Sequence, residues 1–147
     1  MRLSSIVDQI YIKASRIRTI EQKGSPKVNE GVEPEYQGII NYCVMGLIQM
    51  KLNDDGSANV PAEKLLEMYD AITHEAFNLM QDKNHDYGEI WRDMQVSTFT
   101  DIILMRVHRI RMIMENDHKT ISSEGADSNL LDMINYAVFA LIRLGAH

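Results

Sequence analysis

The chain has 147 residues, 45% of them hydrophobic, with a formal net charge of −6 and a pI near 5.3. That length carries one domain with a real core or two small intertwined units, and the composition excludes a disordered chain. The acidic balance excludes a general attraction to nucleic acid or to an anionic membrane, and a single cysteine, Cys43, excludes an internal disulfide, which suits the cytoplasm.

The elements read in chain order are helical. Ten methionines, with only three prolines and eight glycines, suit helices better than a turn-rich β fold. Ile6, Ile10, Ile17 and Ile20 form the apolar stripe of a helix over about 6–23. Breakers from Gly24 to Pro34 mark a loop, and a second helix over about 35–52 is strongly apolar from Ile39 to Met50. Asn53 to Ser57 is a linker. Pro61 fits the first turn of a third helix, which runs to about Lys83 with Leu65, Met68, Tyr69, Ile72, Ala76, Leu79 and Met80 on one face. Asn84-His85-Asp86-Tyr87-Gly88 is expected to break or bend the chain, and a short helical turn carries Trp91. A fourth helix is expected over 99–116, a loop over 117–125, and a last helix over 127–144. No stretch reads as a strand, as a signal peptide or as a membrane span. The expectation is an all-α bundle of about five main helices.

The chain also matches itself. A shift that lays Asp8 on Asp101 also lays Ser4 on Ser97, Ile10 on Ile103, and Arg16-Ile17-Arg18 on Arg109-Ile110-Arg111. With one residue slipped in the loop, Glu30-Gly31 meets Glu124-Gly125 and Asn41-Tyr42 meets Asn135-Tyr136. Two degenerate tandem units follow: a truncated one over 1–52 and a complete one over 53–147, packing as one compact domain. Met1 falls on the internal Met94, so the expectation is an upstream in-frame segment resembling Lys83–Trp91.

Several polar residues do not suit a plain bundle. Ser5-x-x-Asp8 and Thr98-x-x-Asp101 have the spacing of a capping box, which makes each aspartate a helix cap or an acid held beside a pocket. Asp132, Asn135 and Tyr136 share one stripe of the otherwise apolar last helix. An acid there must be paired, hydrogen-bonded or metal-bound. Arg106 and Arg109 share a face, as Lys13 and Arg16 do in the first unit, so each pair is either a set of salt bridges or a phosphate clamp. Arg111 is expected to face solvent. The histidines do not cluster at ligand spacing. Asp101, Glu124, Asp127 and Asp132 could together supply the hard oxygen ligands of Mg²⁺.

Lys83-Asn84-His85-Asp86-Tyr87-Gly88-x-x-Trp91, then Asp101 with Arg106 and Arg109, then Glu124-Gly125-x-Asp127-x-x-x-x-Asp132-x-x-Asn135-Tyr136 together resemble the nucleotide modification associated domain 1 family. The resemblance covers about 75–145. It implies an all-helical domain connected with deoxynucleotide or modified-base metabolism. The last helix is more distantly similar to the acidic helix of MazG-type pyrophosphohydrolases, which hold Mg²⁺ on neighbouring helices and cut nucleoside triphosphates. Their paired E-x-x-E glutamates have no clean equivalent here. The first unit keeps Asp8, Lys13, Arg16, Asn41 and Tyr42 but has Gly38 where the second has Asp132.

The leading expectation is a nucleotide-binding, Mg²⁺-dependent domain, and if an enzyme, a pyrophosphohydrolase-like hydrolase. Lys83, Arg106 and Arg109 would bind phosphate. Asp86, Tyr87, Trp91, Asn135 and Tyr136 would form the base pocket, with Tyr87 or Trp91 stacking on the base. Asp101, Glu124, Asp127 and Asp132 would hold the metal. The partner is then a nucleotide or deoxynucleotide, neither nucleic acid nor membrane. The rival is a non-enzymatic structural module whose polar stripe is an internal salt-bridge network. A homo-oligomer is expected if the truncated unit leaves an apolar groove.

Overall fold

A computed structural model describes residues 2–24, 31–52, 60–116 and 125–145. It contains α1 (Leu3–Lys23), α2 (Glu33–Leu52), α3 (Ala62–Tyr87), a single 3₁₀ turn (Ile90–Asp93), α4 (Val96–Asn116) and α5 (Ala126–Gly145), and no strand among the described residues. None of these helices is long and apolar enough to cross a membrane.

Four helices close a ring. α1 packs on α2, α2 on α5, α5 on α4 and α4 back on α1. Each contributes a stripe at helical spacing to one shared core: Ile6, Ile10 and Ile17 from α1; Ile39 and Cys43 from α2; Phe99, Ile103 and Ile110 from α4; Leu130 and Ala137 from α5. α3 lies outside the ring against α2 and α5, burying only Ile72 and Ala76. Two asparagines at matching places in the sequence units grip it. Tyr69 Oη donates to Asn41 Oδ1 at 2.9 Å, and Asn135 Nδ2 donates to the Ala76 carbonyl at 3.1 Å. One helix therefore serves both halves of the ring.

Three expectations change. α1 begins at Leu3 after Arg2, with no side-chain cap, and α4 begins at Val96. Asp8 and Asp101 therefore lie inside their helices and cap neither. They form cross-ring ion pairs: Arg111 Nη2 to Asp8 Oδ1 at 2.7 Å, and Arg18 to Asp101. Arg111 accordingly does not point away into solvent; its guanidinium also lies 4.3 Å over the Tyr11 ring. The break expected over Asn84–Gly88 falls at the last residue of that segment, and the helix runs four residues beyond its expected end near Lys83. α3 continues through Tyr87 and ends at Gly88, whose φ of +72° is a left-handed conformation that a side chain would strain.

A polar knot sits within the ring. Tyr36 Oη and Thr100 Oγ1 are 2.7 Å apart, and Thr100 donates to Glu21 Oε2 at 3.0 Å. These groups join α2, α4 and α1. Burial pushes the Glu21 carboxyl above its ordinary value and nearby Asp101 adds to this, opposed by the Thr100 bond, Arg18 and Tyr36.

Candidate functional site

The site is organised along α5, an apolar helix in which Asn129, Asp132 and Asn135 are nevertheless buried. Positions 132, 135, 136 and 139 recur at three and four residues, so they form one stripe facing α3 and the 3₁₀ turn.

At the centre, the Asp132 carboxylate is shared between two cations. Lys83 Nζ from α3 stands 2.9 Å from Oδ1, and Arg106 Nη2 from α4 stands 3.2 Å from Oδ2. The Asp132 side chain is 12% exposed, whereas Lys83 is 49% exposed. One carboxylate facing two cations leaves the cluster one positive charge in excess. Arg106 is oriented further by Asn129, whose Oδ1 accepts from Nη1 at 3.0 Å and whose amide bonds the Gly125 carbonyl at the start of α5. The expected phosphate-binding residues Lys83 and Arg106 are thus brought together, and Arg109 lines a groove with Arg106, Ser128, Asn129 and Tyr136. Arg109 makes no ion pair among the described residues. The groove lies at the N-terminus of α5, where the helix dipole favours an anion, while the Ser128 N–H is already taken by Asp127 and the Asn129 N–H by the Gly125 carbonyl.

On the other side of Tyr136 is a cavity of about 160 Å³. Met80, Tyr87, Ile90, Trp91, Met94, Tyr136 and Phe139 form its apolar walls; Lys83, Asn84, Asp132 and Asn135 are its polar edge. Four of the five expected pocket residues, Tyr87, Trp91, Asn135 and Tyr136, line it. The fifth, Asp86, sits on the exposed flank with His85 Nδ1 at 3.3 Å and does not line it.

Trp91 is not a stacking platform for a base. It is 5% exposed, lies parallel to Phe139 with ring centroids 4.4 Å apart, and has the Arg92 guanidinium 4.3 Å over its ring. It is a wall, and its buried indole N–H has no partner among the described residues. Tyr87, 76% exposed at the cavity mouth, keeps a free ring face. Arg143 on α5 fixes the 3₁₀ turn by donating to the Trp91 and Met94 carbonyls. Phe139 and Arg143 were absent from the sequence expectation, although they continue the Asp132 stripe at helical spacing. Asn129 was missed because its role depends on the approach of α4.

Of the expected metal ligands, Asp101, Asp127 and Asp132 are not brought together. Asp101 pairs with Arg18 in a separate groove shared with Tyr11 and His108. Asp127 accepts the Ser128 N–H at 2.8 Å in the first turn of α5. Asp132 is engaged on both oxygens by cations. Glu124 lies outside the described residues. Among the described residues no three acidic, histidine or cysteine groups converge to hold a metal. The three described donors, Asp101, Asp127 and Asp132, do not fit a protein-built cage.

The corresponding place in the first half is filled. A Cβ on Gly38 would stand 2.6 Å from Lys13 Cε, so the lysine stem occupies the space that Asp132 takes in the second half. Lys13 and Arg16 instead pair with Glu35 at 3.7 and 3.3 Å.

These features define an all-α bundle with an apolar cavity set beside a cationic groove. A family model described as nucleotide modification associated domain 1 matches residues 1–50 and 83–144. The match spans most of the chain, which belongs to that family. No curated protein and no solved structure matches it.

Proposed function

We propose that this protein binds a nucleotide along α5, with the base in the Trp91–Tyr136 cavity and the phosphate in the Arg106–Arg109 groove. The observation that carries this reading is that Tyr136 lines both spaces, so an apolar ring site and a cationic site share a wall. From Asn129 to Phe139 the stripe extends about 15 Å at 1.5 Å per residue, a span suited to a nucleotide. The family's association with nucleotide modification points the same way.

Arg106 and Arg109 would meet phosphate oxygens with planar guanidinium forks, and Lys83 would add a point charge. Tyr87 would close over the base from the mouth. Magnesium would enter with the phosphates it coordinates, consistent with its preference for substrate oxygens and water.

The rival reading, a structural module without a ligand, is favoured by one observation: Lys83, Asp132 and Arg106 already satisfy one another. Calorimetric titration with nucleoside and deoxynucleoside mono- and triphosphates, with and without Mg²⁺, separates the two. The nucleotide reading expects binding that Arg109→Ala weakens about tenfold at unchanged melting temperature, a loss of about 1.4 kcal/mol. No binding across the panel leaves the structural module.

A further inference from the structure

Building on the nucleotide reading, we propose that the cavity selects a single-ring base, making the ligand a pyrimidine nucleotide, and that Asn135 Oδ1 accepts a hydrogen bond from that base. The first support is size. The cavity holds about 160 Å³, close to the ~150 Å³ of an engineered protein cavity that admits benzene. One six-membered ring fills such a space, so the fused second ring of a purine would stand outside the apolar walls. The inner wall is rigid, because Trp91 is stacked on Phe139 and its turn is held by Arg143.

The second support is a polar group with a fixed orientation. Asn135 is 9% exposed and lines the cavity. Its Nδ2 is committed to the Ala76 carbonyl at 3.1 Å. The amide therefore cannot flip without losing that bond, and Oδ1 is left as an acceptor with no donor among the described residues. This oxygen is not sealed off in the core but opens to the cavity, so a ligand donor there exchanges water for a fixed acceptor. Uracil and thymine offer a ring N–H, and cytosine an exocyclic amino group. Asn84, also on the cavity wall, spends its Nδ2 on the Met80 sulfur at 3.0 Å, a weak acceptor, and has hydrogen-bonding capacity left for the same ring edge.

The test is calorimetric titration of the full chain with dCMP, dUMP and dTMP against dAMP and dGMP. Pyrimidine nucleotides are expected to bind about tenfold or more tightly than purine nucleotides. Met80→Ala, which widens the cavity, is expected to bring the ratio toward one. Asn135→Leu is expected to weaken pyrimidine binding in protein that still melts cooperatively; if that variant fails to fold, N3-methyl-dTMP, which lacks the ring N–H, is expected to bind the parent protein more weakly than dTMP, and equal binding overturns the role of Oδ1. Equal or tighter purine binding overturns pyrimidine selection while leaving nucleotide binding intact. Undiminished pyrimidine binding by folded Asn135→Leu overturns the role of Oδ1. Absence of binding by every nucleotide overturns both this inference and the function it rests on.

Discussion

Arg111 on α4 reaches Asp8 on α1 at 2.7 Å, and the sequence correspondence that maps Asp8 onto Asp101 maps Arg18 onto Arg111, whose pair Arg18–Asp101 closes the same helix interface from the other side. The two ion pairs are reciprocal. Both are largely exposed, so each is expected to stabilise the fold by less than about 1 kcal/mol. Asp8→Asn and Asp101→Asn should show this in chemical denaturation. Arg111→Ala should cost more than Asp8→Asn, because it also removes the guanidinium from the Tyr11 face, a contact worth about 0.5–1 kcal/mol at an exposed site. Equal costs for the two would show that the ring contact contributes nothing.

Asp132→Asn separates stability from binding. Removing the charge leaves Lys83 and Arg106 facing each other without a counter-ion. Loss of one partner from a fully buried pair costs about 3–5 kcal/mol; here Lys83 is half-exposed, so about 1–2 kcal/mol is expected. If Asp132 acts as an internal competitor for the cations, phosphate should bind more tightly to the variant even as its melting temperature falls. Weaker phosphate binding in folded Asp132→Asn would instead make the carboxylate part of the ligand site.

Gly38 tests why the first half lacks an acid. The atoms that a Cβ would crowd are the Cδ, Cε and Nζ of Lys13, the far end of a flexible side chain. Lys13 can swing away at the expense of its 3.7 Å pairing with Glu35, a long, part-buried contact. Alanine inside a helix gains about 0.5–1 kcal/mol over glycine. Gly38→Ala is therefore expected to change stability by less than about 1 kcal/mol in thermal denaturation. A loss above about 2 kcal/mol would mean that Lys13 is held in place more firmly than its contacts suggest.

The helices were legible because their apolar residues recur at helical spacing; Ile6, Ile10 and Ile17 are all buried. Most of the candidate pocket was legible from the Asp132–Tyr136 stripe and the segment around Trp91. Elsewhere, local pattern misled. A hydroxyl followed three residues later by an acid suits a cap, but the same spacing occurs inside a helix, where Asp8 and Asp101 find arginines across the ring. Asn84, His85 and Asp86 are modest helix formers, yet α3 carries on through them to the glycine that can adopt the terminating conformation. The Arg106–Asn129 bond and the Glu21–Tyr36–Thr100 knot join distant helices, so neither has a local signature. Nor could spacing show that Trp91 is covered on its ring while Tyr87 is open.

Glu21 gives the fold a pH dependence whose sign is fixed by its raised carboxyl. A group with a higher pKa in the folded state binds more protons there than in the unfolded chain. Its contribution to stability is then fully present below the ordinary value of 4.5 and is lost as pH rises through the folded value. Ionised Glu21 is a desolvated charge near Asp101, compensated in part by Thr100, Tyr36 and Arg18. Glu21→Gln keeps an acceptor for Thr100 and removes the charge. The variant is expected to melt at or above the parent temperature at pH 7, with the advantage shrinking as pH falls toward 4.5. Melting curves across that range check it. A variant less stable at pH 7 than at pH 4.5, relative to the parent, would show that the ionised carboxylate is the form that holds α1, α2 and α4 together.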